Sequence, residues 1–129
     1  MTTEHALRRV TERSFEDAEA RVRETLAEQG FGVLTEIDVK AVLKKKLDAD
    51  FRPYRILGAC NPGFAHRALT ASLSIGTLLP CNVVLYQDDA GETVLEAVDP
   101  MSMLPTGTPE LETIAQEVRA RLVKALADV

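Results

Sequence analysis

Apolar residues recur at helical spacing over residues 15–26, alternate with polar ones over 31–39, and return to helical spacing over 111–126. Each change of period marks an element boundary. Residues 4–12 read as a first, weakly patterned strand. Ser14 then stands as an N-cap, with Asp17 in a near capping box. Phe15, Ala18, Val22 and Leu26 form the stripe of a first long helix; Gly30 takes its C′ position and Phe31 folds back on its last turn. In "FGVLTEIDV", Phe31, Val33, Thr35, Ile37 and Val39 alternate with Gly32, Leu34, Glu36 and Asp38, which predicts a strand burying the first set. Asp38 caps a short helix carrying Val42, Leu43 and Leu47, and "YRILGAC" after Pro53 is a third strand. Asn61 and Pro62 suit the N-cap and first position of a helix whose apolar face is Phe64, Ala65, Ala68 and Leu69.

Residues 81–87 and 92–98 pattern as a β-hairpin turned by Asp88 to Gly91. "DPMSMLPTGTP" then reads as a loop, ending where Thr108 caps a last helix with Pro109 at its start. Leu111, Ile114, Ala115, Val118, Leu122 and Leu126 make that helix the clearest stripe in the chain. The order predicts an α+β fold: an antiparallel sheet of about five strands, both long helices on one face, and short helices in the connections.

Composition bounds the function. A chain of 129 residues has the length of one domain, 1–129, with a core that needs no disulfide or metal. Aromatics are 5% with no Trp, so that core is mostly aliphatic. A net charge of −5 opposes phosphate-backbone partners, and no nucleic acid is expected. The local exception, "KAVLKKKLDADFRPYR" with Lys40, Lys44, Lys45, Lys46, Arg52 and Arg55, reads as a solvated helix face, with an anion site or acidic partner as the alternative. No signal-peptide run is present and no window approaches the roughly 18 apolar residues of a membrane span. The expectation is a cytoplasmic protein with reduced thiols and no membrane contact.

The chemistry-bearing candidates gather around two cysteines. If the strands run as an antiparallel meander, the third ends at Cys60 and the fourth begins at Cys81, which brings both thiols to one corner; a disulfide there needs Cα atoms within about 7 Å. Cys60 directly precedes a helix N-terminus, which favours a thiolate. The chain's two Asn residues follow the cysteines, in "ACNP" and "PCNV". Asn61 has a capping role; Asn82, at the start of an apolar strand, is read as a buried side chain in need of a partner. His66 lies one turn into the helix, within reach of the thiol or facing solvent. Asp99 is placed a strand length away from Cys81 unless the segment 99–109 folds back, and His5 carries no role. Cys60, Cys81 and His66 make a sparse metal set without CxxC or HxxxH spacing. Phosphate-loop and GxSxG patterns are absent.

"GFGVLTEIDVKAVLKKKLDADFRPYRILGACNPGFAHRAL" followed by "IGTLLPCNVVLY" resembles the domain of unknown function family 302, over residues 12–126. Its marks are "GFGV", "YRILGACNP" and "LLPCNVV", which contain Cys60, Asn61, Pro62, Cys81 and Asn82. The resemblance implies a TATA-binding-protein-like topology, β-α-β4-α, and homodimers, and it assigns no activity. Fold topology alone carries no function.

Three readings follow. The first is a homodimeric binding module that uses Cys60, Asn61, Cys81, Asn82 and His66 for a small ligand or a metal ion. The second is a thiol-based redox or sulfur-handling protein in which Cys60 reacts and Cys81 resolves it. The third is an interaction domain with both thiols in its core. No cofactor is specified by the sequence, and whether the protein is an enzyme stays open among these readings.

Overall fold

The structure is a computed structural model that describes residues 6–103 and 108–129. Its elements in chain order are β1 (Ala6–Thr11), α1 (Phe15–Glu28), β2 (Gly32–Asp38), α2 (Val39–Leu47), β3 (Tyr54–Cys60), α3 (Pro62–Ala71), a 3-10 segment (Leu73–Leu78), β4 (Cys81–Gln87), β5 (Thr93–Val98), α4 (Pro100–Met103) and α5 (Pro109–Ala127). His5 and residues 104–107 of the Pro- and Gly-containing segment lie outside the described residues. The five strands pair antiparallel in the order β1-β5-β4-β3-β2, so β2 to β5 form the expected meander and β1 closes onto β5.

Local side chains start the helices. Ser14 Oγ accepts from the Asp17 N–H at 3.2 Å, Asp38 Oδ1 from Ala41 at 3.0 Å and Asn61 Oδ1 from Phe64 at 3.4 Å. Each cap satisfies an amide that has no partner within the helix and is worth about 1 kcal/mol. Thr108 is at the N-cap of α5, but its side chain makes no capping bond; Pro109 supplies the helical φ instead. The 99–109 segment is not all loop: Asp99 Oδ1 accepts from the Met101 N–H at 2.9 Å and opens α4.

Alternation along the strands then fills one face. Leu57 and Ala59 of β3, Val83 and Leu85 of β4, and Leu95 and Ala97 of β5 meet Val22 and Leu26 of α1 and Ile114, Val118 and Leu122 of α5 in one buried cluster. Both long helices therefore cover the same face of the sheet. On the opposite face Tyr54 and Tyr86 pair across strands with rings stacked 5.3 Å apart, and the Tyr86 hydroxyl donates to the Glu96 carboxylate.

Strand β2 departs from simple alternation. Its pairing with β3 slips between Val33 and Thr35, and Leu34 is 68% exposed. Beyond the slip, Thr35 and Ile37 oppose Gly58 and Ile56, on the face away from the helices, while Glu36 and Asp38 oppose Leu57 and Arg55. Thr35 is exposed and Ile37 is 45% exposed, so the burial expected of them is corrected. The cause is electrostatic. Arg55 bonds Glu19 of α1 at 2.8 Å and Glu36 at 2.9 Å and reaches Asp38 at 3.5 Å, and Arg23 of α1 joins Glu19 to Glu36. A bulge on an edge strand turns these carboxylates toward the arginines. Elsewhere in the basic segment, α2 buries none of its residues, and Arg52 pairs with Asp89 at 2.8 Å.

The bulge also crowds Gly58. A Cβ there would overlap Thr35 Oγ1 and stand 2.8 Å from Pro80 Cγ. Gly58→Ala is expected to lower stability by roughly 1–3 kcal/mol in urea denaturation, and adding Thr35→Ala to recover part of that loss. A Gly58→Ala protein as stable as the parent would contradict this packing.

Candidate functional site

The end of α1 sets the geometry of the cysteine corner. Gly30 has φ of +86°, the left-handed conformation glycine adopts without a Cβ penalty. The Gly30 N–H donates to the Ala27 carbonyl at 3.0 Å and the Phe31 N–H to Leu26 at 2.9 Å, which closes the helix as a Schellman motif and drives Phe31 inward. The Gln29 carbonyl is left facing α3 and α5. It accepts from Asn61 Nδ2 at 3.3 Å and from Arg121 Nη1 at 3.1 Å. Asn61 thus caps α3 with its oxygen and ties α3 to α1 with its nitrogen.

The β3–β4 register supplies the second half. Ala59 opposes Cys81, and Cys60 is the next residue, so the thiols share one end of the sheet. Both are free and half-buried. Burial, with a smaller push from Cys60, raises the Cys81 thiol to about 11, so it holds its proton at neutral pH.

Both cysteines border a cavity of about 40 Å³ beneath α3. Phe31 and Ala59 floor it, the inner face of α3 (Phe64, Ala65, Ala68) roofs it, and Ile75, Leu79 and Pro80 close one side. Pro100 and Met103 of α4 and Ile114 and Val118 of α5 complete the wall. Its volume suits a few water-sized guests, and its lining is apolar apart from the thiols and Asn61. The guanidinium groups of Arg67 and Arg121 lie 5.6 and 5.3 Å from the centre of the Phe64 ring, and Arg67 also pairs with Glu117 at 3.0 Å and Glu110 at 3.6 Å.

The other predicted residues fall outside this cavity. Asn82 is exposed, opposite Gly58 on the face away from the helices, so it needs no buried partner, contrary to expectation. Alternation decides this: Asn82 and Cys81 point to opposite faces. His66 is exposed on the outer side of α3, one residue past the cavity-facing Ala65. Among the described residues no cluster of three His, Cys, Asp or Glu side chains could hold a metal. Asp99 lies at the same sheet end as Cys81, because the end of β5 adjoins the start of β4, with Val83 opposite Ala97. The expected separation by a strand length is corrected by that antiparallel geometry. Asp99 is occupied as the cap of α4 and as partner of Arg119 at 3.3 Å.

Sequence reasoning passed over Phe31 and Met103 as cavity residues. The Schellman signal at Gly30 points Phe31 inward; Met103 belongs to a segment read as loop and had no signal.

The raised Cys81 thiol has a consequence for stability. Its contribution is present in full below the unfolded value of about 8.5 and is lost as pH rises toward the folded value. Thermal melts of the parent are expected to fall more steeply between roughly pH 9 and pH 11 than those of Cys81→Ala. Tyr54 and Tyr86, both raised first by burial, act in the same direction in both proteins and cancel in the comparison. Parallel curves would contradict the buried thiol.

Comparison with known proteins adds family and fold. The family described as Domain of unknown function DUF302 matches residues 7–129. The crystal structure of an uncharacterized conserved protein DUF302 from Bacillus stearothermophilus superimposes with a TM-score of 0.87 at 32% sequence identity, over 98% of this chain and 98% of that one. No curated protein matches. No helix among the described residues is long and apolar enough to cross a membrane. Matched from Leu7 to its last residue and alike in fold to a solved relative over nearly the whole of both chains, the chain belongs to the DUF302 family.

Proposed function

We propose that the protein is a small binding module that takes a small ligand or a metal ion at the Cys60/Cys81 corner. The observation that carries this reading is that two cysteines, at the ends of different strands, both line one apolar cavity. The cavity volume of about 40 Å³ favours a guest of a few atoms over a nucleotide-sized one. Asn61 serves by holding the roof in position, and Asn82 and His66 stand outside the guest's reach. The thiol-chemistry reading is weaker because its resolving thiol, Cys81, is pushed up to about 11 and is almost wholly protonated at neutral pH. The core-only reading fits less well with two half-buried thiols.

Native protein treated with iodoacetamide at pH 7 is expected to be modified at Cys60 before Cys81, without loss of fold by circular dichroism. If neither thiol reacts until the protein melts, the cavity is closed to guests and the core-only reading replaces this one.

The same proposal takes the working form to be a homodimer. Apolar residues Ile37, Val42, Leu47 and Phe51 lie exposed around α2, with Leu47 at 71%. Lys44, Lys45 and Lys46 precede Leu47, and Asp48 and Asp50 follow it. Lys44 already pairs with Asp48 at 3.0 Å and Asp50 at 3.3 Å within the chain, so it is the apolar residues that a two-fold arrangement would bury against their copies. Light scattering is expected to give twice the chain mass for the parent and the single chain mass for Leu47→Lys. A monomeric parent removes the dimer from the proposal and leaves the cavity untouched.

A further inference from the structure

Resting on the binding reading, we propose that the guest of this cavity is copper(I), held by Cys60 Sγ, Cys81 Sγ and Met103 Sδ. The chain has two Cys and three Met, and both cysteines and one methionine line the same small cavity. The donors come from three separate elements: the end of β3, the start of β4 and α4. No carboxylate or imidazole lines the cavity among the described residues. That donor set discriminates between metals. Magnesium and calcium take oxygen ligands. Zinc takes four ligands, thiolate, imidazole or carboxylate, and the described residues offer no cluster of three such side chains. Thiolate and thioether together select copper(I).

The environment fits the same ion. A monovalent cation neutralises the thiolate charge in part, which matters in an apolar cavity where uncompensated charge is costly. Binding replaces the proton on each thiol: two Cys thiols and one copper(I) give a copper bis-thiolate with thioether contact and two released protons. No electron is transferred. The complex keeps one net negative charge, and the guanidinium groups of Arg67 and Arg121 lie 5.6 and 5.3 Å from the centre of the cavity-lining Phe64 ring, with Arg67 also paired to Glu117 at 3.0 Å.

The test is anaerobic titration of the reduced, full-length protein against a copper(I)–bicinchoninate complex, read by loss of the chelator's colour. The parent is expected to withdraw one copper(I) per chain. Cys60→Ser and Cys81→Ser are each expected to lose this uptake. Met103→Leu conserves volume and is expected to melt at the parent temperature yet bind copper(I) at least about tenfold more weakly, since even partners outside the ligand set cost that much. Zinc competition in the same variant is expected to match the parent, because a thioether does not serve zinc. A parent that withdraws no copper(I) overturns the proposal, and so does a Met103→Leu protein with parental affinity. Iodoacetamide reactivity of Cys60 in the same sample separates the two failures. A reactive Cys60 without copper uptake overturns copper and keeps the binding cavity; unreactive native thiols without uptake overturn both.

Discussion

The cysteine corner depends on one backbone carbonyl, that of Gln29. It stands at the end of α1 where the chain turns through Gly30, and it accepts from a side chain of α3 and a side chain of α5. Three helices that are distant in sequence are thereby referenced to a single oxygen. The positive φ of Gly30 leaves no room for a side chain: a Cβ there would sit 2.9 Å from Asn61 Nδ2. The same turn sends Phe31 into the cavity. Backbone geometry at one residue thus fixes the floor of the cavity, the position of its roof and the start of the helix that follows Cys60. Hydrogen bonds of this kind are each worth about 1 kcal/mol, but their geometric effect is larger than their energy, because they place rigid elements and not single side chains.

Much of this was legible in the sequence, for local reasons. Ser14, Asp38 and Asn61 cap where their position before an apolar stripe said they would, since capping depends on neighbours two or three residues away. The helical stripes and the hairpin turn are equally local. The meander brought Cys60 and Cys81 to one end of the sheet as the topology required. What escaped was non-local. The bulge in β2 is decided by Arg55 and Arg23, which no window around Val33 contains. Asn82 faces away from the helices because its neighbour Cys81 faces them, a parity that composition does not reveal. Met103 joins the cavity only because Asp99 starts a short helix in a stretch rich in turn residues.

Charge and apolar chemistry are kept apart across the sheet. Its β2 side is bordered by a mixed network of two arginines and three carboxylates, Arg23, Arg55, Glu19, Glu36 and Asp38, with Glu19 only 14% exposed. Exposed pairs of this kind contribute little singly, and a shared network gains because one side chain, once fixed, serves several pairs. At the end of the sheet where the cysteines lie, the walls are hydrocarbon and sulfur. The overall net charge of −5 therefore says nothing about the field inside the cavity.

The stacked Tyr54–Tyr86 pair gives the fold an optical reporter of its own. The chain has no Trp and two Tyr, and both rings sit on the β3–β4 ladder, the same pairing that sets Cys81 against Ala59. One hydroxyl is bonded to a carboxylate, an acceptor that draws the phenol proton in the excited state and dims its emission. Tyrosine emission is therefore expected to be low while the two strands are in register and to rise when they part. Ultraviolet fluorescence, without any label, reads the strand pairing on which the thiol corner is built.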